Sequence, residues 1–245
     1  REGATLEHVP FGVVRFPKGG KLSSRAGGAE TLQSLLNSSF EAAQRAIPVA
    51  QSLLRCERVH SDSQKEQLTC VDEPLRGIEN DLFTSERVEK LGVAALRYFE
   101  LTHRKNSDYE LNLGRMLSFN SNSIVYVMYA FTRIQSIITR YLEHHQLSEL
   151  DDENIFKNRP LLGAREEKKL AFWIAQFDDQ VYAASMLLLP NIITEYIYNL
   201  AKKFHSFYEA CRIIGSERDV ELSRLQMALA TKSVLKDAMN LLAID

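Results

Sequence analysis

The chain has 245 residues, 45% of them hydrophobic and 25% charged, with a formal net charge of -2. That length supports a buried core without disulfides or metals, and the near-neutral balance excludes indiscriminate nucleic-acid binding through bulk charge, so any polyanion must be met by a local patch. Three cysteines, Cys56, Cys70 and Cys211, are too few and too irregularly spaced for a disulfide framework or zinc ribbon and favour a reducing compartment; no apolar run reaches the roughly 18 residues of a membrane span, which predicts a soluble protein.

The opening from Leu6 to Pro17 is rich in Val and Phe and bounded by prolines, the pattern of one or two short strands. It runs into Lys18-Gly19-Gly20-Lys21-Leu22-Ser23-Ser24-Arg25-Ala26-Gly27-Gly28, where paired glycines allow close backbone approach and Lys and Arg side chains with two serine hydroxyls suit phosphate oxygens. From Thr31 to Cys56, Leu32, Leu35, Leu36, Phe40, Ala43 and Ile47 recur at helical spacing, and Pro48 is expected to kink or divide the element. Residues 57–80 are polar and aperiodic and read as an exposed insertion. Ser85 with Glu86 opens an amphipathic helix through Tyr98. A longer helix is predicted from Asn122 to His144, then one from Glu166 to Leu189 on Leu170, Ile174, Phe177 and Val181, one from Pro190 to Ile214 capped by Gly215, and a last from about Glu217 to Leu242. The expected fold is mainly α: a short β segment, then an antiparallel helical bundle. Since the first residue is Arg1 and not methionine, the sequence reads as a processed or excised piece of a longer polypeptide.

Two constellations bear on chemistry. Tyr126, Tyr129, Ala130, Arg133 and Ile137 fall on one face of a helix at about 100° per residue, placing two phenols and a guanidinium on one stripe. Such a face can stack unpaired bases and hold phosphates or base edges, or it can be a core face with snorkelling hydroxyls and arginine. In the segment Tyr196 to Cys211, the face of Ile197, Leu200, Ala201, Phe204 and Tyr208 is mostly core, with Tyr208 the member expected to be partly exposed, and His205 lies on another face. The remaining histidines, with His144 and His145 adjacent and expected to point apart, make no metal-ligand spacing, so no metal site is expected.

Lys21-Leu22-Ser23-Ser24-Arg25 resembles the Lys-Met-Ser-Lys-Ser signature of class I aminoacyl-tRNA synthetases, whose cations stabilise charge on ATP phosphates. With Leu91-Gly92-Val93-Ala94-Ala95-Leu96-Arg97-Tyr98, Asn106-Ser107-Asp108-Tyr109, Arg115-Met116-Leu117-Ser118-Phe119, the Tyr126 to Ile134 stretch, Phe204-His205-Ser206-Phe207-Tyr208-Glu209-Ala210-Cys211 and Ser223-Arg224-Leu225, the chain is similar in order to the C-terminal half of arginyl-tRNA synthetases. The resemblance implies that the short β segment is the end of a Rossmann-type catalytic domain and that the bundle is of the DALR anticodon-binding type. It divides the chain into the end of a catalytic domain (1–30), stem-contact helices with a polar insertion near 57–80 (31–115) and an anticodon-binding bundle (116–245). It implies Lys21, Ser23, Ser24 and Arg25 as catalytic-loop residues and Tyr126, Tyr129, Arg133 and Tyr208 as anticodon contacts. Departures are Ser121-Asn122-Ser123 where the family has Gly-Asn-Thr, Val125 in place of Pro, and Ala243 in place of Gly; the His-x-Gly-His signature is absent.

The implied function is the C-terminal portion of an arginine-tRNA ligase, cytoplasmic or organellar. The full enzyme would use ATP and Mg²⁺ and meet ATP and arginine through its N-terminal half. This chain alone would need no cofactor, carry no complete active site and bind the tRNA anticodon arm, with neither DNA nor membrane as partner. The alternative is a non-catalytic descendant serving as a tRNA-binding adaptor or assembly subunit; a helical interaction module with no RNA role ranks last.

Overall fold

The computed structural model describes residues 8–15, 32–58, 68–70 and 85–244, with side chains described for 8–15, 33–46 and 86–244. The loop residues Lys21, Ser23, Ser24 and Arg25 lie outside them. Helix α1 (Leu32–Arg55) and helix α2 (Ser85–Leu101) pack along one another. Helix α1 runs through Pro48, so the proline does not divide the element. The two helices approach so closely at Gly92 that a Cβ there would lie 2.6 Å from the Phe40 ring and 3.2 Å from its backbone nitrogen. The stretch read as an exposed insertion begins instead with strand β2 (Cys56–Arg58), paired antiparallel with β3 (Leu68–Cys70) in the register Cys56 to Cys70.

Of the opening segment, Val14–Arg15 forms β1, paired in parallel with β4 (Tyr109–Glu110) so that Val14 faces Tyr109. The Gly12 N–H donates to the Lys105 carbonyl at 2.6 Å and the Val13 N–H to Asp108 Oδ1 at 2.9 Å, while Arg15 pairs with the other Asp108 oxygen at 2.5 Å. A Cβ on Gly12 would meet the Ser107 carbonyl oxygen at 2.1 Å, backbone that cannot swing aside. Gly12→Ala is therefore expected to destabilise the chain by about 1–3 kcal/mol, the range for overpacking, read as a lower midpoint in urea unfolding.

The bundle follows as α3 (Leu113–Met116), α4 (Ile124–His145), α5 (Asp152–Ile155), α6 (Arg165–Ala175), α7 (Phe177–Leu187), α8 (Asn191–Ala210) and α9 (Arg218–Leu241). Ser123 caps α4 by accepting from the Tyr126 N–H at 3.3 Å, as a threonine would, and Asn122 Oδ1 accepts from the Tyr98 hydroxyl at 2.7 Å. The single helix expected over 166–189 is two, broken at Gln176. The cause is Tyr196 of α8, whose hydroxyl donates to the Trp173 carbonyl at 2.8 Å while its ring stacks on both Trp173 and Phe177 at 5.9 Å. Helix α8 ends at Ala210 with Cys211 as its cap, short of the expected Ile214, so Gly215 is no cap. It holds φ +77 in the turn into α9, its N–H donating to Glu221 Oε1 at 2.9 Å.

Helices α4, α7 and α9 end instead on Gln146, Leu188 and Ala243, all with left-handed φ between 53° and 55°. In each the following N–H reaches back five residues, as Leu147 does to the Leu142 carbonyl at 2.9 Å, a Schellman closure without glycine. The core runs between α4, α8 and α9, with Tyr98, Ile134, Tyr141, Leu200, Phe204, Phe207, Leu225 and Leu235 fully buried. The mainly α bundle expected from the sequence is the fold observed.

Candidate nucleic-acid interface

The face of α4 is graded from core to surface. Ala130 and Ile137 are buried, whereas Tyr126, Tyr129 and Arg133 are half-buried at the margin where α4 meets α8. Tyr208, near the end of α8, is likewise half-buried, so the four residues singled out in the sequence sit at one margin. Arg133 joins two of the others: its guanidinium carbon lies 4.7 Å from the Tyr129 ring centroid and 4.8 Å from that of Tyr208, and a terminal N–H donates to the Tyr129 hydroxyl at 2.5 Å. Tyr126 meets Tyr198 edge-on at 5.2 Å. Burial, then the neighbouring Tyr198, pushes the Tyr126 hydroxyl up to about 12, so it stays a donor at neutral pH.

The sequence reading did not place His205 with these residues. It is buried, 8% exposed, with its ring 5.1 Å from that of Tyr126 and 5.2 Å from that of Tyr129, and its Nδ1 lies 3.5 Å from an Arg133 guanidinium nitrogen. Burial and then the Arg133 charge hold the imidazole down to about 3, so it is neutral at physiological pH. Tyr198 and Lys202 belong to the same surface, the ammonium lying 5.4 Å from the Tyr198 centroid. Tyr198, Lys202 and His205 stand at i, i+4 and i+7, a helical face beside the apolar stripe of α8. The surface thus combines half-exposed phenol rings with two cations, a combination suited to bases and phosphates.

A second cluster joins the end of α4 to the start of α9. The His144 and His145 rings meet edge-on at 4.8 Å rather than pointing apart, and their ligand atoms lie within 4.8 Å of one another and of a Glu221 oxygen. Arg218 already supplies the positive charge there, 3.5 Å from Glu221 Oε2 and 3.4 Å from His145 Nε2, and Glu221 Oε2 is engaged by His145 at 3.0 Å. The chemistry of this donor set is an ion network. Among the described residues no helix is long and apolar enough to cross a membrane.

Residues 127–245 match the DALR anticodon binding domain. The chain is 33% identical over 240 residues to an arginine-tRNA ligase of Marinomonas sp., covering 98% of this chain and 36% of the relative, and 28% identical over 244 residues to that of Rhodopirellula baltica, covering 98% and 34%. Among solved structures, arginyl-tRNA synthetase from Plasmodium falciparum superposes with a TM-score of 0.66 at 28% identity over 88% of this chain and 33% of that one. The Thermus thermophilus enzyme gives 0.65 at 18% identity over 94% and 33%, a likeness of fold. The chain spans about a third of the length of the curated relatives it matches.

Proposed function

We propose that this chain, which belongs with the C-terminal part of arginyl-tRNA synthetases and carries their DALR anticodon binding domain, binds the anticodon arm of an arginine tRNA as the RNA-reading portion of an arginine-tRNA ligase. The observation that carries the reading is the half-buried group of Tyr126, Tyr129, Arg133 and Tyr208 within or at the edge of that domain. Phenol rings at a helix margin offer stacking faces to splayed bases, worth about 1–3 kcal/mol per base. The guanidinium has five N–H donors; one is turned to Tyr129 and another to His205, and the group is held by the rings on which it lies. An arginine fixed in that way meets phosphate or a base edge with little side-chain entropy left to lose.

Arg133→Ala is expected to weaken binding of an RNA hairpin bearing the arginine anticodon stem and loop by about 1–3 kcal/mol, the range for one good specific contact, measured by fluorescence anisotropy at fixed salt. Equal binding by wild type and variant overturns the assignment of this face. In the complete ligase, ATP and Mg²⁺ are the cofactors, arginine the second substrate and the cytoplasm the compartment. Lys21, Ser23, Ser24 and Arg25 stabilise the phosphates as charge moves to the leaving pyrophosphate. There, Lys21→Ala lowers the rate of ATP-pyrophosphate exchange in the presence of tRNA, and an unchanged rate reduces the loop to a linker.

A further inference from the structure

A buried histidine is an odd choice for the floor of the α4 and α8 margin. Its Nε2 has no hydrogen-bond partner among the described residues. If Nδ1 accepts from Arg133, the ring proton sits on Nε2 as a buried donor whose desolvation is not returned. A phenylalanine would fill the space between Tyr126 and Tyr129 without that penalty, so packing alone does not account for an imidazole here. What an imidazole supplies and a phenyl ring does not is an acceptor 3.5 Å from the Arg133 guanidinium. That guanidinium is also the group lying across the Tyr129 and Tyr208 rings.

We propose that His205 is a positioning residue for RNA recognition: seated between Tyr126 and Tyr129, it accepts at Nδ1 from Arg133 and fixes the guanidinium across the Tyr129 and Tyr208 rings, in the orientation that meets RNA. The proposal rests on the RNA-binding reading above. It gives the anticodon face a floor as well as a surface. Without the acceptor the guanidinium keeps its attraction to the two rings but regains rotation about its long side chain, and the order it then loses on binding RNA appears as weaker affinity. The imidazole serves in this way because it is neutral: burial and the adjacent Arg133 charge both disfavour its protonation.

The test uses the full chain, the anticodon-arm hairpin and three single variants. His205→Phe keeps the ring and removes the acceptor. It is expected to bind the hairpin about tenfold more weakly, a change of about 1.4 kcal/mol, while its thermal midpoint stays level or rises, a combination that loss of structure does not produce. His205→Asn, whose amide reaches the position of Nδ1, is expected to recover most of the affinity. In an Arg133→Ala background His205→Phe should cost less than about twofold, because its effect passes through the arginine. Equal binding by wild type and His205→Phe, with Arg133→Ala weakened, overturns the role of His205 and leaves the RNA-binding reading intact. Full additivity in the double variant, or a loss on His205→Phe that tracks a lowered midpoint and is not recovered by asparagine, overturns it too. Absence of hairpin binding by wild type overturns the RNA-binding reading and this one with it.

Discussion

Arg224→Ala is expected to destabilise the chain by about 3–5 kcal/mol at neutral pH, the cost of leaving a buried charge without its partner. The partner is Glu167, whose side chain is 2% exposed and whose two oxygens are both engaged: Oε1 accepts from Arg224 Nε at 2.7 Å and Oε2 from the Ala164 N–H at 2.7 Å. Arg224 also donates to the Arg212 carbonyl and lies 3.4 Å from the Ser216 hydroxyl, so one side chain of α9 ties the N-terminus of α6 to the turn after α8. Burial pushes the Glu167 carboxyl up, but the Ala164 N–H and the Arg224 guanidinium together outweigh it and hold the group below its ordinary value. The folded state therefore binds a proton on Glu167 less readily than the unfolded state. The stability this adds is fully present above the unfolded carboxyl range near 4.5 and is lost as pH falls through the lower folded value. In Arg224→Ala the lowering by the cation is lost while burial remains, so the carboxyl lies higher than in wild type. Urea unfolding should show the gap between wild type and variant largest at pH 7 and narrowing toward pH 4. A gap that stays constant across that range removes the buried pair as its cause. Glu167→Leu combined with Arg224→Met is expected to recover most of the loss, since two apolar groups of similar volume leave no stranded charge.

How much of this was legible before the structure depends on which force set each feature. The long helices were, because α4, α8 and α9 each bury one stripe, and a stripe is written in the order of the residues. The ends of α4 and α9 were too, within a residue of His144 and Leu242, but that of α8 was not: Gly215 was the expected stop and the helix ends at Ala210. Nor was the manner of closing legible where three helices run into Gln146, Leu188 and Ala243 in the left-handed region, where the reaching-back N–H offsets a steric cost that L residues normally avoid. The break at Gln176 was invisible for a different reason: it is imposed by Tyr196, a residue on another helix, claiming the Trp173 carbonyl. The parallel pairing of Val14 with Tyr109 joins residues too far apart in sequence for any local pattern to register. At the candidate site the spacing of Tyr126, Tyr129 and Arg133 announced a shared face, and its exposure came only with the position of α8. His205 falls on another face than the apolar stripe of α8 in the sequence, and its meaning lies in the rings on either side of it and the guanidinium facing it.

That histidine also makes the fold acid-sensitive in a predictable window. In the unfolded chain its imidazole titrates near 6.5, whereas in the folded chain burial and the Arg133 charge hold it down to about 3. Between those values the unfolded state binds a proton that the folded state refuses, so stability rises with pH across the window and falls as the solution is acidified. At one unit of pKa per 1.36 kcal/mol, the deficit reaches about 2 kcal/mol at pH 5. Above pH 7 the group is neutral in both states and contributes no slope. Other groups titrate in the same acid range, so the informative quantity is the difference between wild type and His205→Phe, which lacks the proton-binding site. Urea unfolding at pH 7.5, 6 and 5 should show the variant gaining on wild type by about 2 kcal/mol over the interval. A constant difference would mean that the imidazole has the same pKa in both states, so that neither burial nor the Arg133 charge acts on it. The acid loss in stability and the loss of RNA affinity in His205→Phe thus probe one contact from its two sides. The first reports that the ring is neutral next to a cation, the second that its neutrality is used to hold that cation in place.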